Sequence, residues 1–223
     1  NGTLIKLGKG FNTININNNK LEVGASILDI NLSNYALRQN IEGFEFYSGI
    51  PGSIGGAVKM NAGCYGSETV DVIDSIEVCN NFGKRKKITK DKLNLQYRSS
   101  NINKTDIITK AIFNFNYGDQ NLIKKKINEI KKKRIESQPI KNKTSGSTFK
   151  NPKNQFAAKL IEEAGCKGTN SGDAYVSDQH ANFLINRGSA SATDIENLGK
   201  SIIEKVHNKF NIELEWEVKI IGD

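Results

Sequence analysis

Between Thr3 and Tyr117 hydrophobic and polar positions alternate in several short stretches, and a period of two predicts strands. The stretches are "TLIKL", "KLEVGA", "SIEVCN", "GKRKKIT" and "DIITKAIFNFNY". In the last of them Ala111, Phe113, Phe115 and Tyr117 fall on one face, as a half-buried strand requires. "ILDINLSNYALRQN" reads as a helix among these strands. From residue 119 to 135 the period lengthens: Ile123, Ile127 and Ile130 recur at helical spacing, which predicts an amphipathic helix. Pro139 and Gly146 then break the chain before a second unit. A helix is predicted there from Ala157 to Ala164, stopped by Gly165. A longer one is predicted from Asp194 to Lys209, with Ile195, Leu198, Ile202, Val206 and Phe210 as its buried stripe. Thr193 and Glu196 have capping-box spacing at its start. "ANFLIN" and "ELEWEVKII" read as strands, so both units belong to the α+β class.

Composition changes this picture little. With 223 residues, 37% of them hydrophobic, the chain can bury one large core or two small ones. The heavy use of Asn, Lys and Ile reads as codon drift. The formal charge of +8 raises the question of a nucleic-acid partner. Nearly all the excess is local: between Asn121 and Lys143 nine basic residues stand against Glu129 and Glu136. The isoleucines between those lysines make them the solvated face of the predicted helix, and no aromatic residues are interleaved to stack bases. No nucleic acid is therefore expected. Nothing resembles a membrane span or a signal peptide. Cys64, Cys79 and Cys166 suggest neither a disulfide framework nor a metal site, so a cytoplasmic protein is expected.

Two stretches carry candidate chemistry. "GIPGSIGGAVKMNAGCYG", residues 49–66, has six glycines. Missing side chains let backbone approach a ligand and turn N–H groups toward an anion such as a dinucleotide pyrophosphate. The spacing is neither a Walker loop nor G-x-G-x-x-G, and such a segment taken by itself is more often a tight loop. "SGSTFKNP" places Ser147 in a setting that invites a nucleophile, but neither His180 nor His207 sits in a nucleophile elbow. Ser147 is either a turn residue or does different work.

"GIPGSIGGAVKMNAGCYG", "YRSS" at 97–100, "SGSTFKNP", "AAKLIEEAGCKG", "VSDQHANFLIN" and "LEWEVKIIG" occur in one order. Together they resemble the UDP-N-acetylenolpyruvoylglucosamine reductases, flavoenzymes of peptidoglycan precursor synthesis, over essentially the whole chain. The resemblance implies an FAD-binding domain of the vanillyl-alcohol-oxidase type over 1–118 and a small α+β substrate-binding domain over 119–223. It implies FAD and NADPH as cofactors, UDP-N-acetylglucosamine enolpyruvate as substrate and a monomeric protein. Gly49, Ile50, Pro51, Gly52, Ser53, Gly55, Gly56, Asn61 and Gly63 are implied flavin contacts. Tyr97, Arg98, Lys150 and Asn151 are implied substrate contacts.

Arg98, Ser147 and Glu217 are the implied catalytic residues. A hydride from flavin N5 to the enolpyruvyl methylene carbon leaves negative charge beside a carboxylate, which a guanidinium stabilises. The intermediate then needs a proton at carbon, and a serine hydroxyl held in reach can give it without any histidine. Glu217 is implied to orient the substrate or assist that transfer, while Glu213 and Glu215 read as surface. His180 matches a recurrent position without a role, and His207 reads as a surface or packing residue.

Some features depart from the pattern. A strand and a glycine-rich turn that should precede "TLIKLGKGF" are not found, so the N-terminal flavin-binding segment is expected to be missing. The lead into "VSDQH" is unusual, and Trp216 stands where proline is frequent. No long insertion separates "YRSS" from "SGSTF", which matches the shorter, loop-less branch. A binding module using the basic helix and a serine hydrolase centred on Ser147 are the alternative readings.

Overall fold

The computed structural model describes residues 5–222. The chain forms two compact units, one ending at Lys132 and the other starting at Lys133. The boundary read from sequence falls at residue 118, just before the basic helix Gln120–Ser137, whereas the units part inside that helix.

The first unit is built on a five-stranded antiparallel sheet. Its order is Ile14–Asn17, Lys20–Gly24, Ile107–Asn114, Ile73–Cys79 and Arg85–Thr89. Ile14–Asn17 is an edge strand that the alternation did not reveal. The predicted "TLIKL" strand begins at Thr3 and Leu4, outside the described residues, and residues 5–8 carry no regular structure. Ala111 and Phe113 face the core as predicted, but Ile112 is buried too and Tyr117 is 66% exposed. The regular strand ends at Asn114, and Asn116–Tyr117 pairs separately with Ile41–Glu42. Phe113 meets Phe44 edge-on at 5.5 Å, and Tyr47 stacks against Phe46 at 4.1 Å. These rings fill the space between sheet and helix Asp29–Arg38, whose Leu32 and Ala36 are buried.

The basic helix begins where Asp119 Oδ1 accepts the N–H groups of Asn121 and Leu122. It buries Ile123 and Ile127 and leaves its lysines in solvent, as the pattern predicted.

The second unit has a four-stranded antiparallel sheet in the order Lys143–Ser147, Phe183–Asn186, Ala174–Val176, Asn170–Ser171. Helix Ala157–Glu163 ends at Gly165 with φ 72°, the left-handed stop expected from the sequence. Helix Ala192–Phe210 starts two residues earlier than predicted, because the capping box uses Ser191 and Asp194 rather than Thr193 and Glu196. Its stripe of Leu198, Ile202 and Val206 is buried against Leu160, Ile161 and Val176.

"ELEWEVKII" does not form a ladder strand. Among the described residues its one bridge joins Trp216 to Phe149, whose rings lie 4.9 Å apart. The outer edge of the indole meets the helix backbone: a Cβ on Gly199 would stand 1.9 Å from Trp216 Cη2. Alternation here records a segment with two environments, held by a ring in a glycine notch instead of by neighbouring strands.

Candidate active site

The glycine-rich segment runs from the turn Glu45–Gly49 through the short helix Ile54–Lys59 to the hairpin Gly63–Cys64/Ser67–Glu68. Its glycines fall into two kinds. At Gly49, Gly55 and Gly63 a Cβ would come within 2.9, 3.1 and 2.5 Å of other parts of the chain, so internal packing already crowds a side chain there. At Gly56 an added Cβ would meet only Ser53 Oγ at 3.8 Å, and Gly56, Pro51 and Gly52 are exposed. Nothing inside the chain demands glycine at 56. Bare, accessible backbone of this kind fits a large planar or anionic ligand that lies close to it.

Not every N–H of the segment points outward. Those of Ile54 and Gly55 donate to the carbonyls of Ile27 and Ala25 at 2.9 Å. Ser53 bridges Leu28 and the Gly52 carbonyl accepts the Asp29 N–H at 3.1 Å, while the Ile50 N–H donates to the Tyr47 carbonyl at 3.3 Å within its own turn. Asn61 is buried at φ 42° and braces the segment from within. Its Nδ2 donates to Glu68 Oε2 and the Gln96 carbonyl, and its Oδ1 accepts the Val70 N–H at 2.9 Å.

"YRSS" is fastened beside this segment. Ser100 Oγ donates to the Lys59 carbonyl at 2.7 Å, and Arg98 Nη2 donates to the Gly63 carbonyl at 3.4 Å. Gln96 and Ser99 exchange backbone hydrogen bonds around a two-residue turn made by Tyr97 and Arg98. Arg98 has φ 51°, and its guanidinium lies 4.9 Å from the Tyr97 ring centre. Of nine described non-glycine residues at positive φ, seven are asparagines, the residue that tolerates this region best; the exceptions are Tyr65 and Arg98. Both exceptions sit at the glycine-rich segment. Unfavourable backbone of this kind clusters at functional sites, which makes this place a candidate.

In the second unit the structure brings Ser147 and Glu217 together. The ladder between Lys143–Ser147 and Phe183–Asn186 is interrupted between Thr144 and Ser147, and Gly146 in the interruption has φ 90°. A bulge of this sort re-aims the side chain that follows. One residue on, the Thr148 carbonyl accepts the Glu217 N–H at 2.9 Å. Glu213 and Glu215 are exposed while Glu217 is half-buried, which separates it from its neighbours on the same face. Lys150 donates its N–H to the Glu215 carbonyl at 2.8 Å and pairs its ammonium with the Glu215 carboxylate. Asn151 is exposed, and its Oδ1 accepts the Ala157 N–H at 3.0 Å, capping the helix that follows.

Neither histidine is hydrogen-bonded to Ser147 among the described residues. His207 is exposed on the last helix. His180 Nδ1 accepts the Asn182 N–H at 3.3 Å, and burial pulls its pKa below the usual histidine value. No histidine is thus placed to activate Ser147 among the described residues.

A family model described as the C-terminal domain of UDP-N-acetylenolpyruvoylglucosamine reductase matches residues 138–221, and an FAD binding domain model matches residues 1–89. The UDP-N-acetylenolpyruvoylglucosamine reductase of Rickettsia conorii is 45% identical over 99% of this chain and 75% of that protein. The chain belongs to the UDP-N-acetylenolpyruvoylglucosamine reductase family. The Gluconobacter oxydans member is 42% identical over 99% of this chain and 72% of its own length. The crystal structure of the reductase from Thermus caldophilus superimposes with a TM-score of 0.85 at 35% identity, covering 96% of this chain and 76% of that one.

Membership makes the chain an oxidoreductase with FAD as cofactor, and it corrects one expectation. The flavin-binding portion is present: an FAD-binding domain is recognised over 1–89. The sheet strands, first helix and glycine-rich segment that carry the domain's pattern are formed by residues 14 to 114.

Two further residues have no signature in the sequence. Asp29 is fully buried at the start of the first helix, and neither carboxylate oxygen has a partner among the described residues. A Cβ on Gly52 would lie 2.9 Å from its Oδ2. Burial pushes its pKa up to about 7. Asn182, in "DQHANF", grips the segment just after Ser147. Asp29 occupies an ordinary helix start, and Asn182 falls in a stretch whose pattern is that of a strand.

Proposed function

We propose that the chain reduces UDP-N-acetylglucosamine enolpyruvate to UDP-N-acetylmuramate with NADPH as electron source. The observation that carries this reading is Ser147 on its bulge beside the half-buried Glu217. The chemistry FAD supplies when bound is a hydride from its N5, drawn from NADPH and given to the enolpyruvyl methylene carbon. Arg98 holds the substrate carboxylate with parallel hydrogen bonds and stabilises the negative charge that develops next to it. Ser147 gives its hydroxyl proton to the adjacent carbon. Glu217 orients the substrate or assists that transfer. Tyr97, Lys150 and Asn151 contact the sugar nucleotide, and the glycine-rich segment with Asn61 holds the flavin.

No described helix is long and apolar enough to cross a membrane. The same reading, from the family resemblance, places a monomeric enzyme in the cytoplasm.

The test is the visible spectrum of FAD-loaded protein, followed through both halves of the reaction. NADPH is expected to bleach the flavin band, and the enolpyruvyl sugar nucleotide to restore it without oxygen. A bleached band that only oxygen restores would sink the assignment of substrate. Gly56→Ala sharpens the role of the segment. Alanine raises helix propensity by about 1 kcal/mol and meets no clash within the chain, so the apoprotein should melt no lower than the parent. FAD affinity, by quenching of flavin fluorescence, is expected to fall at least about tenfold, roughly 1.4 kcal/mol. Unchanged affinity would remove Gly56 from the flavin contacts.

A further inference from the structure

Just upstream of Ser147 the pairing is irregular: Thr144 pairs with Ile185 and Ser147 with Phe183, and between them the Gly146 N–H donates to Thr144 Oγ1 at 3.3 Å. The ladder is broken between Thr144 and Ser147, and nothing lies within 4 Å of a Cβ on Gly146. Ser147 keeps its register partner Phe183, and the stretch just downstream of it carries a second hold. There one buried residue engages successive peptides. The Thr148 N–H donates to the Asn182 carbonyl at 2.8 Å. The Phe149 N–H donates to Asn182 Oδ1 at 2.9 Å, and Asn182 Nδ2 donates back to the Phe149 carbonyl at 2.8 Å. Glu217 and Lys150 bond the same stretch from its other edge, through the Thr148 carbonyl and the Glu215 carbonyl.

We propose that Asn182 is a positioning residue for the proton transfer: its two-pronged hold on Phe149, with its carbonyl on Thr148, fixes Ser147 relative to Glu217. The inference rests on the reading of Ser147 as proton donor. Only a carboxamide suits the place. It offers one acceptor and one donor to the two polar groups of a single buried residue, whereas a carboxylate would face the Phe149 carbonyl with a second acceptor. His180 steadies the clamp, since its Nδ1 accepts the Asn182 N–H. An uncharged ring keeps that nitrogen an acceptor, in line with the lowered pKa of the buried imidazole.

Asn182→Ala and Asn182→Asp test this in FAD-loaded protein by stopped flow. Reduction of the flavin by NADPH is expected to stay within about twofold of the parent, which also reports that the variants are folded. Reoxidation by the enolpyruvyl substrate is expected to slow at least about tenfold near pH 8. The Asp variant is expected to recover, relative to the parent, as pH falls, because a protonated carboxyl again pairs a donor with an acceptor. Amide exchange at Phe149 should quicken in both variants and slow again for Asp at low pH. Equal slowing of both half-reactions, or reoxidation within about twofold of the parent, overturns the inference. Ser147→Ala is the reference. If it slows reoxidation while the Asn182 variants do not, this inference alone fails; if it does not slow reoxidation, the proton-donor reading fails with it.

Discussion

Between about pH 5 and about pH 8 the protein is expected to lose about 3 kcal/mol of stability through Asp29, and Asp29→Asn is expected to remove that loss. The carboxyl is fully buried, it has no hydrogen-bond partner among the described residues, and its pKa is raised from 3.8 to about 7. Burial disfavours the charged form, so the folded protein keeps this proton while the unfolded chain releases it. Across that window the folded state binds more protons, and stability falls as pH rises. The whole gap, at about 1.4 kcal/mol per pH unit, is worth about 4 kcal/mol, of which about a third is already lost by about pH 5. The surroundings offer little relief. The segment from Gly49 to Gly56 contains no titratable side chain, and the nearby hydroxyls of Ser33 and Ser48 are buried without partners of their own. Tyr47 faces the site and is itself pushed upward by burial, by the Asp29 charge and against its bond to Thr69. Glu45, in the same turn as Tyr47, is held by the Gly43 N–H and by Lys126. The measurement is urea unfolding at the two pH values for both proteins. The slope with pH is the informative quantity, since a buried amide brings its own unpaired donors and shifts the absolute value. Parallel profiles would show that Asp29 ionises normally in the folded state.

Why such a group leaves no trace in the sequence is instructive. The helix Asp29–Arg38 was legible from its apolar spacing, and an acidic residue at a helix start reads as ordinary dipole compensation. Its burial is decided by the Gly52 backbone and the Glu45–Gly49 turn, which no local pattern encodes. The last helix was equally legible because Leu198, Ile202 and Val206 form a period that survives any context. "ELEWEVKII" shows the opposite case. Its alternation was real, but a period of two records two environments and not a ladder, and here Gly199 and Phe149 supply the inner one. The motifs point to Arg98, Ser147 and Glu217, the residues proposed to carry the reaction. They could not reveal Asn182, whose proposed role rests on the main-chain atoms it bonds. The glycines were legible as a group and misleading singly: packing explains Gly49, Gly55 and Gly63, and only Gly56 among these four is left to an outside ligand.

The strained turn at "YRSS" leads to the second large effect. Arg98→Gly is expected to lower turnover by roughly 10² to 10³, the usual loss when a group that stabilises developing charge is removed. Stability is expected to stay within about 1 kcal/mol of the parent. Glycine removes the cost of φ 51°, about 1–2 kcal/mol for a side-chain-bearing residue. Against this stand the larger freedom of glycine in the unfolded chain, about 0.5–1 kcal/mol, and the lost stacking on Tyr97, about 0.5–1 kcal/mol at a partly exposed site. The 3.4 Å bond to the Gly63 carbonyl is long and adds little. A position where the best-fitting residue for the backbone is the worst for the reaction separates the two demands cleanly. Arg98→Lys completes the comparison. It keeps the charge and the strain but loses the planar fork, so its turnover should lie between those of the parent and the glycine variant. Steady-state kinetics and urea midpoints on the same preparations decide the matter. Turnover of Arg98→Gly within about threefold of the parent would mean that the guanidinium stabilises no charge in the reaction, and the strain at residue 98 would need another explanation.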